Sequence, residues 1–217
     1  MLILPEEIIL LALDDKSGEL SELPERSLDF ALAGALLTEL ALRGSVAFDD
    51  FFVTKIVRES TADKLLDSAL ALLPDTPHLT VQNSIARIAK KGGSWEDKIF
   101  SRLISYGTLS KRKLGLFAFS KGNSYDILDA SAVARVKNKI RKIVMDENSE
   151  PNLRELVLIA IMNACELNGA VFSAGEIEKY LPRIEALAKK TVVGSSISRS
   201  ISEIQNAILE VIAFSGL

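Results

Sequence analysis

At 217 residues, 48% hydrophobic and 25% charged, with a net charge of −3, the chain has the composition of a globular protein with a sizeable core. Its single cysteine, Cys165, rules out an internal disulfide and a cysteine-rich metal site, and its single histidine, His78, has no visible partners for a zinc site or a catalytic triad. The apolar start MLILPEEIILLALDD carries two acids and no basic residue, unlike a signal peptide, and no run approaches the roughly 20 apolar residues of a membrane span; a cytoplasmic protein is expected.

Pro5, followed by Glu6 and Glu7, opens a short helix through about Leu13, and Asp14–Gly18 reads as a turn. Residues 19–27 are polar and without period. Leu28–Gly44, LDFALAGALLTELALRG, is apolar on every face from Phe30 to Leu42 apart from Thr38 and Glu39, the mark of a helix buried all round. Asp29 is placed to cap it, and Gly44 to end it in the left-handed conformation. Two β-rich runs around Asp49-Asp50 predict a hairpin over 45–57.

A helix begins at Thr61 or Asp63 and is closed by Pro74; another, capped by Thr80, carries Val81, Ile85, Ile88 and Ala89 on one face and ends at Gly92-Gly93. Ser94-x-x-Asp97 is a variant capping box opening WEDKIFSRLISY, which runs to Gly107. A second β-rich stretch with a Lys121-Gly122-Asn123 turn follows. Helix–Gly–hairpin therefore occurs twice, a structural echo.

Asp129 caps a helix with Val133, Val136, Ile140, Ile143 and Val144 on one face. DENSEPN breaks the chain before an apolar helix over about 152–168 that ends at Gly169 and contains Cys165 as a small buried hydrophobe. Ser173-x-x-Glu176 opens a helix through Lys190, and the last helix, after VGSSIS, bears Ile201, Ile204, Ile208 and Ile212. No linker divides the chain. The expected fold is mainly α, a single globular domain over 1–217 with a buried central helix, surrounding amphipathic helices and two or more short β-hairpins.

Charge is unevenly placed. Residues 87–142 hold fourteen Lys and Arg against four acids, a segment of +10, so the remainder carries −13. Such a basic middle reads either as an anionic partner's surface or as solvated helix faces. No phosphate-cradling glycine loop, nucleophile elbow or metal-spaced cluster occurs, and no catalytic residue, metal ligand or cofactor is assigned. The paired acids Glu6–Glu7, Asp14–Asp15 and Asp49–Asp50 sit at helix starts or turns, where capping explains them.

The segments LPEEIILLALDDKSGE, LAGALLTELALRGSV, VQNSIARI and WEDKIFSRLISYGTLSKRK, in this order over residues 2–145, resemble the successive motifs of the Golgi phosphoprotein 3 family. The resemblance implies a mostly helical fold around a hydrophobic helix, peripheral membrane binding through phosphatidylinositol 4-phosphate, and no catalysis. It also implies a link between glycosyltransferase cargo and a vesicle coat, with a hairpin at Lys113–Leu128 contributing to membrane contact and oligomers. Where the family's lipid pocket has a tryptophan and three arginines, this chain has Pro24, Ala33, Gly93 and Glu96. Lys90, Lys91, Lys98 and Arg102 are the nearby candidates to replace those charges, with Trp95 as an interfacial aromatic. On the second hairpin, Lys111, Arg112 and Lys113 border Leu114, Leu116, Phe117 and Phe119, a pattern suited to an anionic membrane or to a subunit interface.

Three functions stay open at this point: an anionic-lipid-binding adaptor, a protein-interaction scaffold that forms homo-oligomers or holds protein cargo, and a winged-helix-like nucleic-acid binder. The last is disfavoured by Asp49-Asp50 at the tip of the first wing, which would repel phosphate.

Overall fold

A helix that is apolar on every face needs neighbours on every side, and α2 (Ser27–Leu42) has them: every residue from Phe30 to Ala41 is buried. Helix α1 (Leu4–Ala12) precedes it. The hairpin β1 (Val46–Asp49) and β2 (Phe52–Lys55) follows, then α3 (Lys64–Leu70), α4 (Val81–Lys91) and α5 (Trp95–Ser105). A second hairpin, β3 (Leu109–Lys111) and β4 (Tyr125–Ile127), leads into α6 (Ala130–Met145) and α7 (Leu153–Ala164). A 3-10 turn (Leu167–Ala170), α8 (Ala174–Ala188) and α9 (Ser196–Ser215) complete the order. The computed structural model describes residues 2–24, 26–49, 52–56, 60–75, 79–91, 94–112, 124–190 and 196–215. Among these the architecture is mainly α, as expected, and the strands form two antiparallel pairs.

Helices α1, α3, α4, α5, α7 and α9 all pack on α2. The closest approach is at Gly34, where an added Cβ would lie 2.4 Å from Ile208 Cγ1 of α9, so a bare backbone is what lets α9 seat. The single core cluster takes in Ile204, Ile208 and Ile212 of α9, the predicted face of α6, and Trp95, whose indole N–H donates to the Ile88 carbonyl at 2.9 Å. Phe100 stacks on Tyr125 and ties α5 to the second hairpin.

The two helix–Gly–hairpin units share their backbone in detail. Gly44 (φ 68°) and Gly107 (φ 71°) take the left-handed position after α2 and α5. Ser45 N–H reaches the Leu40 carbonyl at 2.8 Å, and Thr108 N–H reaches Leu103 at 2.9 Å. Gly44 N–H bonds Ala41 and Gly107 N–H bonds Ile104, completing a Schellman motif at each end. The returning strand then bonds the same position: Ile56 N–H to the Ser45 carbonyl, Leu128 N–H to the Thr108 carbonyl.

Local expectations are corrected at four places. Asp29 does not cap α2; Arg26, at φ 60°, precedes the helix without a side-chain cap, and Asp29 lies in the first turn, where its charge still suits the dipole. Helix α3 stops at Leu70, and the 3-10-type bonds of Leu72 and Leu73 tighten the turn ahead of Pro74. Helix α7 ends at Ala164 because Glu166, at φ 58°, turns the chain; Gly169 sits in the 3-10 turn that follows. Glu6 and Glu7 do more than favour a helix start. Glu6 Oε2 accepts the Ile3 N–H at 2.8 Å, and both carboxylates are buried ion-pair partners: Glu6 of Arg102, Glu7 of Lys139 and Arg154.

Candidate functional site

Among the described residues, at least six of the fourteen basic residues in 87–142 are held by acids within the fold. Arg102 pairs with Glu6 and Asp63, Arg112 with Asp126, Arg135 with Asp129, Lys137 with Asp15, Lys139 with Glu7, and Arg141 with Glu176. Lys137 is buried, with its Nζ also on the Leu13 carbonyl. Much of the basic middle thus stitches itself to the acidic remainder, and the asymmetry of the sequence is in good part architecture.

The candidate lipid residues separate accordingly. Arg102 Nε donates to Glu6 at 2.8 Å, while its two Nη atoms clasp Asp63 at 2.6 and 3.1 Å. Burial opposes the guanidinium charge, but the bonds and charges of Asp63 and Glu6 outweigh it and raise the Arg102 pKa further. Burial likewise works against the Asp63 carboxylate, and Arg102 together with the Leu65 and Leu66 N–H groups holds its pKa below the ordinary value. Arg112 is a strap, donating to Asp126 at 2.7 Å and to the Ser17 carbonyl at 2.8 Å.

Trp95, a candidate interfacial aromatic, is 1% exposed and packs in the core at the capped start of α5, against α4. Lys98 is exposed and lies over its ring at 4.3 Å. Lys90 on α4 and Lys111 on β3 are exposed, and Lys91 is the last residue of α4. Lys113, Leu114, Leu116, Phe117 and Phe119 lie outside the described residues.

Two clefts flank Tyr106. The first, about 670 Å³, lies between the start of α3 and α5 and is lined by Asp63, Lys64, Asp97, Lys98 and Arg102 among others. Its wall includes Ala62 at φ 61°, an uncommon conformation for a residue with a Cβ. Asp67 keeps the loop in place by accepting bonds from the Ser60 hydroxyl and from the Thr61 N–H and hydroxyl. The second cleft, about 600 Å³, is bordered by Leu2, Glu7, Thr108, Asp129, Arg135, Val136 and Lys139. Lys98 and Arg102 therefore meet at one cleft with Lys64, whereas Lys111 and Arg112 belong to the second hairpin.

Sequence reasoning missed Lys64, Ile104, Tyr106 and Leu128. The signal available for Tyr106 was its position as the residue before Gly107, the end of an amphipathic helix, where a side chain projects from the last turn.

The positions at which the resemblance puts a lipid pocket carry the opposite character. Ala33 is fully buried in α2. Glu96 is half-buried, and burial, then Asp97 and Asp29, pushes its carboxyl above the usual range. Gly93 lies outside the described residues. Among the described residues no helix is long and apolar enough to cross a membrane.

Comparison with known proteins places this arrangement. The family model for Golgi phosphoprotein 3 (GPP34) matches residues 4–204. The chain is similar to Vacuolar protein sorting-associated protein 74 of Eremothecium gossypii, at 26% identity over 211 residues, covering 85% of this chain and 62% of that protein. It is similar to the protein of the same name from Schizosaccharomyces pombe at 23% identity over 210 residues, covering 84% of this chain and 61% of the other. The chain thus spans about three fifths of the length of these curated relatives. With a match running from the first residue of α1 into α9, the chain belongs to the Golgi phosphoprotein 3 (GPP34) family.

Proposed function

We propose that this protein, one domain over its whole length, is a non-catalytic adaptor for protein sorting that sits peripherally on the cytoplasmic face of a Golgi-type membrane. Its ligand is an anionic lipid surface, with phosphatidylinositol 4-phosphate as the family's expected headgroup. Protein cargo and self-association are its further partners. The observation that carries the reading is the placement of Lys111: it is exposed at the end of β3, and the sequence runs on from it through Arg112 and Lys113 into Leu114, Leu116, Phe117 and Phe119. Lysine near an anionic surface contributes about 1 kcal/mol. Lys90, Lys91 and Lys98 add to the same field, whereas Arg102 and Arg112 support it by holding the frame.

Because Glu96 and Asp29 share the region where the family's arginines would lie, headgroup selectivity in this chain rests on surface charge more than on an enclosed phosphate pocket. Vesicle flotation tests the reading. Recovery is expected with acidic vesicles, falling at high salt, and the Lys111→Glu change lowers partitioning roughly five- to tenfold. Equal recovery with neutral and acidic vesicles at low salt contradicts it.

A further inference from the structure

We infer that the corner at Gly107, formed by Ile104, Tyr106 and Leu128, is a second membrane-inserting surface beside the hairpin; the inference rests on the membrane reading above. These three are among the large apolar residues that the described surface leaves exposed, at 37%, 57% and 61%. They gather at one place. The Ile104 carbonyl takes the Gly107 N–H, Tyr106 is the residue before Gly107, and the Thr108 carbonyl takes the N–H groups of Leu128 and Asp129.

The frame beneath them is stiff. Leu103, Thr108 and Leu109 are buried, and the Asp129 carboxylate caps α6 through the Ala132 N–H. Apart from its chain neighbours nothing lies within 4 Å of where a Cβ on Gly107 would stand, as is also true at Gly44, so the tip of the corner meets open space and differs from the first corner in its side chains alone. An apolar group on a fixed frame with its tip unobstructed can enter a soft phase without unfolding anything.

What covers this corner follows from its rim. The Arg102 guanidinium sits 5.8 Å from the Tyr106 ring centroid, Lys64 and Lys98 line the cleft on one side of Tyr106, and Arg135 and Lys139 line the cleft on the other. Lys111 lies two residues beyond Leu109, on the strand that leaves the corner. Of the acids at these clefts, Asp63, Glu7 and Asp129 are engaged by Arg102, Lys139 and Arg135, and Asp97 lies exposed in the first beside Lys64 and Lys98.

A tyrosine and two aliphatic residues exposed on one corner, with Lys64 and Lys98 beside it, match the interfacial zone of a bilayer: the phenol stays at headgroup level, the aliphatic groups go below it, and the ammonium groups reach phosphates. The corner is continuous with the hairpin already proposed to touch lipid, since β3 begins at Leu109. A lipid surface is therefore the occupant to which the geometry commits.

The test uses the full chain with Tyr106→Trp. The native indole, Trp95, is buried and supplies a constant background. Vesicles of phosphatidylcholine with about one-fifth phosphatidylserine, with and without brominated acyl chains, are the probe. A blue shift of the added indole and its quenching by bromine support the inference. So does a roughly tenfold weaker partition of the Ile104→Ser, Leu128→Ser double variant, with an unchanged melting curve. Vesicle binding with an unshifted, unquenched indole overturns the inference and leaves the hairpin reading standing. Failure of the wild type to bind these vesicles overturns both. A blue shift that grows with protein concentration in the absence of lipid assigns the corner to a second copy of the chain and overturns the inference.

Discussion

The Gly44 and Gly107 corners are built on the same backbone and do different things with it. Each ends a helix with a left-handed glycine, closes it with the same pair of hydrogen bonds, and receives the returning strand at the same carbonyl. Only the side chains differ. Where the second corner has Ile104 and Tyr106, the first has Ala41, which is buried, and Arg43, which reaches back to Glu39 at 3.7 Å. Helix α9 packs on α2 and on β1 of the first unit, whereas the second unit borders two open clefts. A short pattern of helix, glycine, small hydroxyl and β-branched or aliphatic residue specifies the frame. Both glycines stand in the open, and the residues three and one positions before each decide whether the frame displays large apolar groups or a cation held by an acid.

The largest expected effect separates the cations of the two units. Arg102→Ala strands the buried Glu6 carboxylate and frees Asp63, costing about 3 kcal/mol in urea-unfolding stability. Arg43→Ala costs under about 1 kcal/mol, because Arg43 is exposed and Glu39 keeps Arg154 and the Leu4 N–H. Equal losses would mean that the two units are braced alike.

The next effect concerns the helix faces six residues before the residue that opens each Schellman motif. Gly34→Ala pushes a methyl into Ile208 and displaces α9, at about 1–3 kcal/mol. The matching position on α5 is Asp97, which is exposed in the first cleft, and Asp97→Ala changes stability by no more than about 0.5 kcal/mol. Thermal melts of the two variants decide this.

The smallest effect is a pH dependence far from both corners. A bidentate bond from Arg141, with help from the Ser173 N–H, holds Glu176 at about 2, below its ordinary 4.5. A depressed folded-state pKa contributes stability that is present above the unfolded value and is lost as pH falls from about 4.5 toward about 2. Glu176→Gln removes that part of the acid dependence while leaving vesicle binding unchanged; an identical acid profile in the variant would show that the pair does not link α6 to α8 in this way.

The helices, their caps at Asp63, Thr80, Ser94, Asp129 and Ser173, and the first hairpin were legible in the sequence because each depends on residues within a few positions of one another, and the second hairpin from its two β-rich runs, although its strands pair across a longer stretch. So was the all-round burial of α2. The partners of the basic segment were not, since Arg102 finds Glu6 and Lys139 finds Glu7 only after the chain has folded. That is why the ion pairs that hold Arg102 and Arg112, and the bond from the Trp95 indole to the Ile88 carbonyl, could not be read from the residues alone. Tyr106 was invisible for the converse reason: amphipathic spacing identifies faces that go inward, and nothing local says which last-turn residue will stay out.

The central claim is that the Gly107 corner and its hairpin, and not the Gly44 corner, face the membrane. Ile56 and Tyr106 are both 57% exposed, one at each corner. Flotation of Ile56→Ser and Tyr106→Ser with acidic vesicles compares them directly. Wild-type recovery for Ile56→Ser and a several-fold lower recovery for Tyr106→Ser is the predicted result; equal recovery of the two variants would contradict the account.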